Sequence, residues 1–286
     1  MKPVFSWKSL CCLLCFALLA GCSKDDAEPD DVLPPLVWPD DIATAIPDSH
    51  FRAFCLYNFD TNGDGRLSKE EVLTVKRIDP HYDQSGQSAD VLSLEGIEYF
   101  SNLKTLYWEY SNLKSLDLRY NARLEKVRFE YMSALAVLRG PVGYAPLTIE
   151  FPNFCNLKEL DLSGSANVRE LLFSVNSQDK AKLTSVNLPD PSHLQYLTIA
   201  AADAACYDAL LADGANLKVL YCNFYPGAVL DLSRCPKLET LWVQTFAGSA
   251  LTKIRMCKGI PPLREVNIYD ENSRDCSHLI KIEYVE

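Results

Sequence analysis

The chain has 286 residues, a net charge of −10 at neutral pH and an apolar fraction of 48%, ample for a sizeable core. The acidic balance speaks against nucleic acid and bare anionic lipid as partners. His50, His81, His193 and His278 are the only histidines; they stand in no nucleophile or metal motif, and no GxSxG, HExxH or phosphate-binding glycine loop occurs, so an enzyme is not expected.

The N-terminus carries Lys2 and Lys8, an apolar stretch from Leu10 to Leu19, and then Leu19, Ala20, Gly21 and Cys22. Residues 1–21 read as a signal peptide, too short for a membrane span. Leu-Ala-Gly-Cys resembles the lipobox of bacterial lipoproteins. That resemblance implies cleavage before Cys22, acylation of its thiol and new amino terminus, and a membrane partner held through the lipid anchor. Removal of the leader would take the net charge from −10 to −12. Ser23, Lys24, Asp25 and Asp26 resemble the short tag that sends some lipoproteins to the outer face of the outer membrane, which implies exposure to the cell exterior. Residues 22–47 hold Pro29, Pro34, Pro35, Pro39 and Pro47 among many aspartates, the composition of an extended acidic tether.

Residues 48–79 read as a helix-loop-helix. Phe51, Phe54, Cys55 and Tyr57 have helical spacing after a capping Asp48 or Ser49, and Val72, Leu73, Val75 and Ile78 continue a second helix. Between them lies DTNGDGRLSKEE, residues 60–71. A calcium loop needs oxygens at positions 1, 3, 5, 7, 9 and 12. Asp60, Asn62 and Asp64 supply side-chain oxygens, Arg66 its carbonyl, Ser68 a hydroxyl or held water, and Glu71 a carboxylate, with Gly65 at the sharp turn. The expected cofactor is calcium. Three carboxylates and no second loop predict a dissociation constant of roughly 10⁻⁴ to 10⁻³ M, the range of a structural brace rather than a sensor.

Residues 80–286 are dominated by one returning pattern, apolar-x-x-apolar-x-apolar, as in Leu113, Leu116 and Leu118 or Leu157, Leu160 and Leu162. Two interleaved series emerge, one starting near 103, 124, 144, 168, 194, 217, 238 and 263, the other near 113, 135, 157, 183, 207, 227, 251 and 279. The repeat length is that of leucine-rich repeats, which predicts a solenoid with short parallel strands. Residues 92–103 form its leading coil. The complete chain resembles bacterial surface lipoproteins that join one EF-hand to irregular leucine-rich repeats. It departs from them in lacking most of the asparagines expected after each strand and in placing aromatics at many leucine positions. A short helix over 204–211 competes with a strand there, and residues 173–183 and 243–251 look inserted. Seven cysteines follow Cys22, without ligand spacing, so buried free thiols are expected for most of them.

Strand alternation then sorts the outward side chains. The series starting at 113 gives Asp117, Arg139, Asp161, Asn187, Leu211, Asp231, Arg255 and Glu283, a polar face. The series starting at 103 gives Tyr107, Arg128, Thr148, Leu172, Thr198, Tyr221, Trp242 and Asn267. With Tyr196 and Val219 beside them, Tyr221 and Trp242 make an apolar patch suited to a ligand. In the other register Tyr221 and Trp242 are core residues of irregular coils. The reading that follows is an adhesin-like surface protein recognising a protein ligand. The alternatives are a glycan-binding accessory lipoprotein, and a dockerin-like assembly module, because DTNGDGRLS also resembles half of a dockerin.

Overall fold

The computed structural model describes residues 33–80, 90–153, 156–173, 183–246, 248–259, 263–270 and 272–285. Cys22, the leader, the sorting tag and Cys155 lie outside the described residues, as do residues 174–182 of the first expected insertion. Residues 34–286 form a compact unit, and no helix among the described residues is long and apolar enough to cross a membrane.

Parallel strands wind into a solenoid with strands on two sides, forming three sheets. One sheet has nine strands: β1 (Arg77–Ile78), β2 (Thr105–Glu109), β4 (Lys126–Glu130), β6 (Leu147–Phe151), β8 (Val168–Phe173), β10 (Tyr196–Ile199), β11 (Val219–Asn223), β13 (Thr240–Gln244) and β15 (Glu265–Tyr269), in that spatial order. The opposite side carries β3 (Ser115–Asp117), β5 (Val137–Arg139), β7 (Glu159–Asp161) and β9 (Ser185–Asn187) in one sheet, and β12 (Val229–Leu232), β14 (Lys253–Cys257) and β16 (Lys281–Val285) in another. The 103 series builds the first side and the 113 series the second.

These residues form strands because each coil offers two apolar positions at period two, which only a pleated segment can turn inward together. Leu106, Val127, Ile149, Leu171, Leu197, Leu220 and Leu241 make one buried row of the large sheet. Trp108, Phe129, Phe151, Phe173, Ile199, Cys222 and Val243 make the next. Phe151 stacks on Phe173 at 5.0 Å, so aromatics at leucine positions fill the wider coils rather than breaking the repeat. Each such buried side chain contributes about 1.5–3 kcal/mol. The thiols of Cys55, Cys206, Cys222, Cys235, Cys257 and Cys276 are free, and burial raises those of Cys55, Cys206, Cys222 and Cys235.

Two positions depart from the expected outward rows. Ile149, rather than Leu147, aligns with Val127 and Leu171, and the register shifts between Leu147 and Thr148. Glu150 therefore takes the place expected for Thr148. Leu211 lies not on a polar strand but in helix α3 (Ala204–Leu211), buried with Cys206, Tyr207 and Leu210. Alanine-rich sequence and an Asp203 side chain that accepts the Ala205 N–H favour the helix. It sits between β9 and β12 and divides the second side into its four-stranded and three-stranded sheets.

At the N-terminal end, helices α1 (Ser49–Phe59) and α2 (Lys69–Thr74) cover the core. Phe51 and Phe54 pack edge-on against Trp108, at 5.8 and 5.5 Å. Asp48 caps α1 through the His50 and Phe51 N–H groups, and its other oxygen accepts from Leu92 and Ser93, tying the helix to the leading coil. Within the Pro-rich stretch 22–47, residues 41–46 depart from a tether. Ile42, Ala43 and Ile46 are buried around a 3₁₀ turn, because these apolar side chains interrupt the acidic composition and find the core within reach.

Candidate functional site

The loop between α1 and α2 is ordered by its own carboxylates. Asp60 accepts from the N–H groups of Gly63 at 2.7 Å and Gly65 at 2.8 Å, Asn62 from Asp64 at 2.8 Å, and Asp64 from Arg66 at 2.9 Å. Gly63 and Gly65 have φ of 73° and 78°, conformations that a Cβ would strain. Glu71 lies at the N-terminal turn of α2 in a capping box with Ser68. One of its oxygens accepts from the Thr61 N–H at 2.8 Å and hydroxyl at 2.9 Å, the other from the Ser68 N–H at 2.9 Å and hydroxyl at 2.8 Å. The Ser68 bonds first, and then those from Thr61, hold its carboxyl down to about 2.

The donor types of Asp60, Asn62, Asp64, Arg66, Ser68 and Glu71 suit a hard cation. Their arrangement gathers no group of three His, Cys, Asp or Glu side chains fit to hold a metal among the described residues, since Glu71 is turned onto Thr61 and Ser68. The loop is also strapped from outside. Asp41 accepts from the Leu67 N–H at 3.0 Å, Ile42 donates to the Leu67 carbonyl at 2.9 Å, and the Lys69 ammonium sits 4.3 Å over the Trp38 ring.

The outward face of the nine-stranded sheet divides by chemistry. Toward β2, β4 and β6 it is charged. Glu150 accepts from Lys126 and Arg128, each at 2.8 Å, and Arg128 also donates to Glu130 at 2.8 Å. Lys126, Arg128 and Glu130, with Arg77, Asp79 and Tyr107, border a groove of about 440 Å³. Just past the ends of β2 and β4, Tyr110 and Tyr131 stack at 4.6 Å, both with positive φ. Their backbone is held there as the chain leaves the sheet, the Tyr110 N–H still donating to the Glu130 carbonyl at 3.1 Å. Such conformations cost about 1–3 kcal/mol each.

Toward β10, β11, β13 and β15 the same face is aromatic. Tyr196 stands opposite Val219, and Tyr221 opposite Trp242, which stands opposite Asn267. All four residues expected in the patch occupy outward positions. Tyr196 is 38% exposed, while Leu220, Cys222, Leu241 and Val243 between and beside them are fully buried; the core register for Tyr221 and Trp242 is thereby excluded. Tyr221 and Trp242 stack with centroids 5.9 Å apart at 19°. Trp242 then meets Tyr269 at 5.2 Å and 43°. Tyr269 extends the patch, and the sequence reading missed it because it stopped at Asn267; continuing the alternation by two residues along β15 finds it. Asn223, Gln244 and Asn267 set amides beside the rings.

No protein-family model matches the chain. No curated protein matches it either. Among solved structures it is similar to the functional domain of InlJ from Listeria monocytogenes, which includes a cysteine ladder, at 16% identity and a TM-score of 0.33 over 86% of this chain and 61% of that one. It is also similar to internalin C2 from the same organism, at 15% identity and 0.40 over 88% and 100%. The chain thus spans about three fifths of the InlJ domain. With both TM-scores below 0.5, the solenoid is read from this chain's own strand pairing.

Proposed function

We propose that this protein is a non-catalytic, lipid-anchored surface recognition protein whose nine-stranded face binds a protein ligand. The observation that carries the reading is the row Tyr221, Trp242 and Tyr269, with Tyr196 and Val219 beside it. Large rings held on a rigid sheet give contact area at small entropic cost, and such anchors dominate protein interfaces. The 19° stack of Tyr221 on Trp242 turns ring faces toward one another. A sugar needs an open face to stack on, whereas a protein surface can pack against edges, so the arrangement favours a protein.

The test is affinity capture with the acyl-free ectodomain and its Trp242→Ala variant. The variant is expected to lose the partner while its unfolding free energy changes by no more than about 1.5 kcal/mol, the worth of an aromatic pair. Retained capture, or a loss of stability large enough to explain the loss of binding, would sink the proposal. The glycan reading keeps one argument, the amides of Asn223, Gln244 and Asn267 next to the rings; Trp242-dependent signals on a glycan array would replace the first reading by this one.

Calcium belongs to the same proposal as a brace at the base of the solenoid. Asp60, Asn62, Asp64, Arg66, Ser68 and Glu71 supply the oxygens, and binding requires Glu71 to exchange Thr61 and Ser68 donors for the ion. Competition with those donors is consistent with weak affinity. The anchor at Cys22 and the outer-membrane location rest on the leader sequence, and radiolabelled palmitate incorporation that disappears in Cys22→Ala tests the anchor.

A further inference from the structure

Alternation along β2 and β4 assigns an inward place to the residue that follows each strand. Leu106 and Trp108 are buried, as are Val127 and Phe129, so Tyr110 and Tyr131 come next in the inward rows. The backbone turns both away. With φ of 51° and 53° each leaves the sheet in the left-handed region, and the following residues, Ser111 and Met132, are buried instead. Phe224 makes the same turn after β11, with φ of 60° and a buried Tyr225 behind it. The left-handed corner thus belongs to the repeat. A tyrosine there does not, because glycine or asparagine takes that conformation with less strain.

Burial explains Phe224, which is half-buried at its corner. Tyr110 is 67% exposed, and among the described residues its ring pairs with that of Tyr131 alone. The two rings lie 7° from parallel, so each turns one face to the other and the far face of Tyr110 is left to solvent. The electrostatics of this corner favour a cation. A ring face is negative, and Glu109 and Glu130 end the strands that lead into the two corners. The Tyr110 hydroxyl is pushed up, first by what its neighbours take of its hydration and then by Tyr131 and the charges of Glu109 and Glu130. A net charge of −10 draws cations from farther away. Of the cationic side chains, arginine carries a planar, weakly hydrated group that stacks on aromatic faces, which a lysine ammonium does not match.

We propose that the Tyr110–Tyr131 stack is a docking site for an arginine side chain of a protein partner, whose guanidinium lies on the open face of Tyr110. Glu130 is already shared with Arg128, so the ring face is the contact and the carboxylates supply only the field around it. The site is separate from the aromatic row, since β6, β8 and β10 lie between β4 and β11.

The test titrates acetyl-Gly-Arg-Gly amide, its Gln counterpart and methyl glucoside into the protein, with tyrosine ring signals followed by NMR. The Arg peptide is expected to move the signals of Tyr110 and Tyr131 at millimolar concentrations, and the Gln peptide to bind about tenfold more weakly. Tyr110→Phe keeps the ring face and should keep the response at Tyr131, whereas Tyr110→Asn should abolish it. Asparagine accepts the left-handed conformation, so relief of strain offsets the lost stack and the melting temperature should change by no more than about 2 °C. Trp242→Ala should leave the titration as it is. Equal responses to the Arg and Gln peptides, a response to methyl glucoside in place of the Arg peptide, or a response lost in Tyr110→Phe or Trp242→Ala would each overturn the proposal. So would a Tyr110→Asn variant that still responds, or one whose melting temperature falls further, since the stack would then serve the fold.

Discussion

Glu150 is 8% exposed although it projects from the outer face of β6, because Lys126 and Arg128 close over it. Burial acts to raise its pKa, but the hydrogen bonds from Lys126 and Arg128 outweigh it and hold the carboxyl below its usual range. A carboxyl lowered in this way stabilises the fold above its unfolded pKa and loses that contribution as pH falls through the folded value. The unfolding free energy of the unmodified protein, from urea titrations, is therefore expected to drop as pH is lowered past 4.5, and that of Glu150→Gln to drop less, starting about 1–3 kcal/mol lower at neutral pH. Parallel pH profiles for the two would show that Glu150 does not carry the effect. Alternation alone placed Tyr221 and Trp242 outward correctly, whereas it missed Glu150, since a register shift between Leu147 and Thr148 leaves no mark on the apolar pattern.

At the scale of elements, α3 shows a helix doing a strand's job. Its Tyr207 is buried, and the hydroxyl donates to the Asn223 carbonyl at 2.9 Å while accepting from the Ala201 N–H at 3.3 Å, so one side chain joins the ends of β10 and β11. Tyr207 also meets Tyr225 edge-on at 4.9 Å. Replacing it by Phe keeps the packing and leaves those groups short of a partner, which should cost about 1–2 kcal/mol in chemical unfolding with unchanged far-ultraviolet circular dichroism. A cost near zero would mean that the hydroxyl is not what ties the helix to the sheet. The helix itself was legible in Ala204, Ala205 and Ala209. Its consequence, two separate sheets on one side of the solenoid, was not, because that depends on which coil it replaces.

Across the whole molecule, one continuous apolar cluster runs from Ile42 through the coils to Ile280. The strap, the helices and the solenoid share it, so the described unit is expected to unfold in a single transition, followed equally by Trp108 near α1 and Trp242 on β13. Saturation to ten times the dissociation constant with calcium should raise the unfolding free energy by about 1.4 kcal/mol, reversed by a chelator. Two transitions, with calcium moving the first alone, would show instead that the helices and the coils fold independently.

The sequence by itself determined the periodicity, the two interleaved series of coils, a cap for the first helix at Asp48 or Ser49, and the outward row that includes Tyr221 and Trp242. Each of these follows from side-chain alternation or from a local backbone hydrogen bond, both of which are written into neighbouring residues. Only the tertiary structure decided that Asp41 and Ile42 bind Leu67, that Glu71 reaches Thr61, and that Glu150 takes the place expected for Thr148. Those facts depend on which distant segments meet and on the register in which they pair, and no local pattern encodes either.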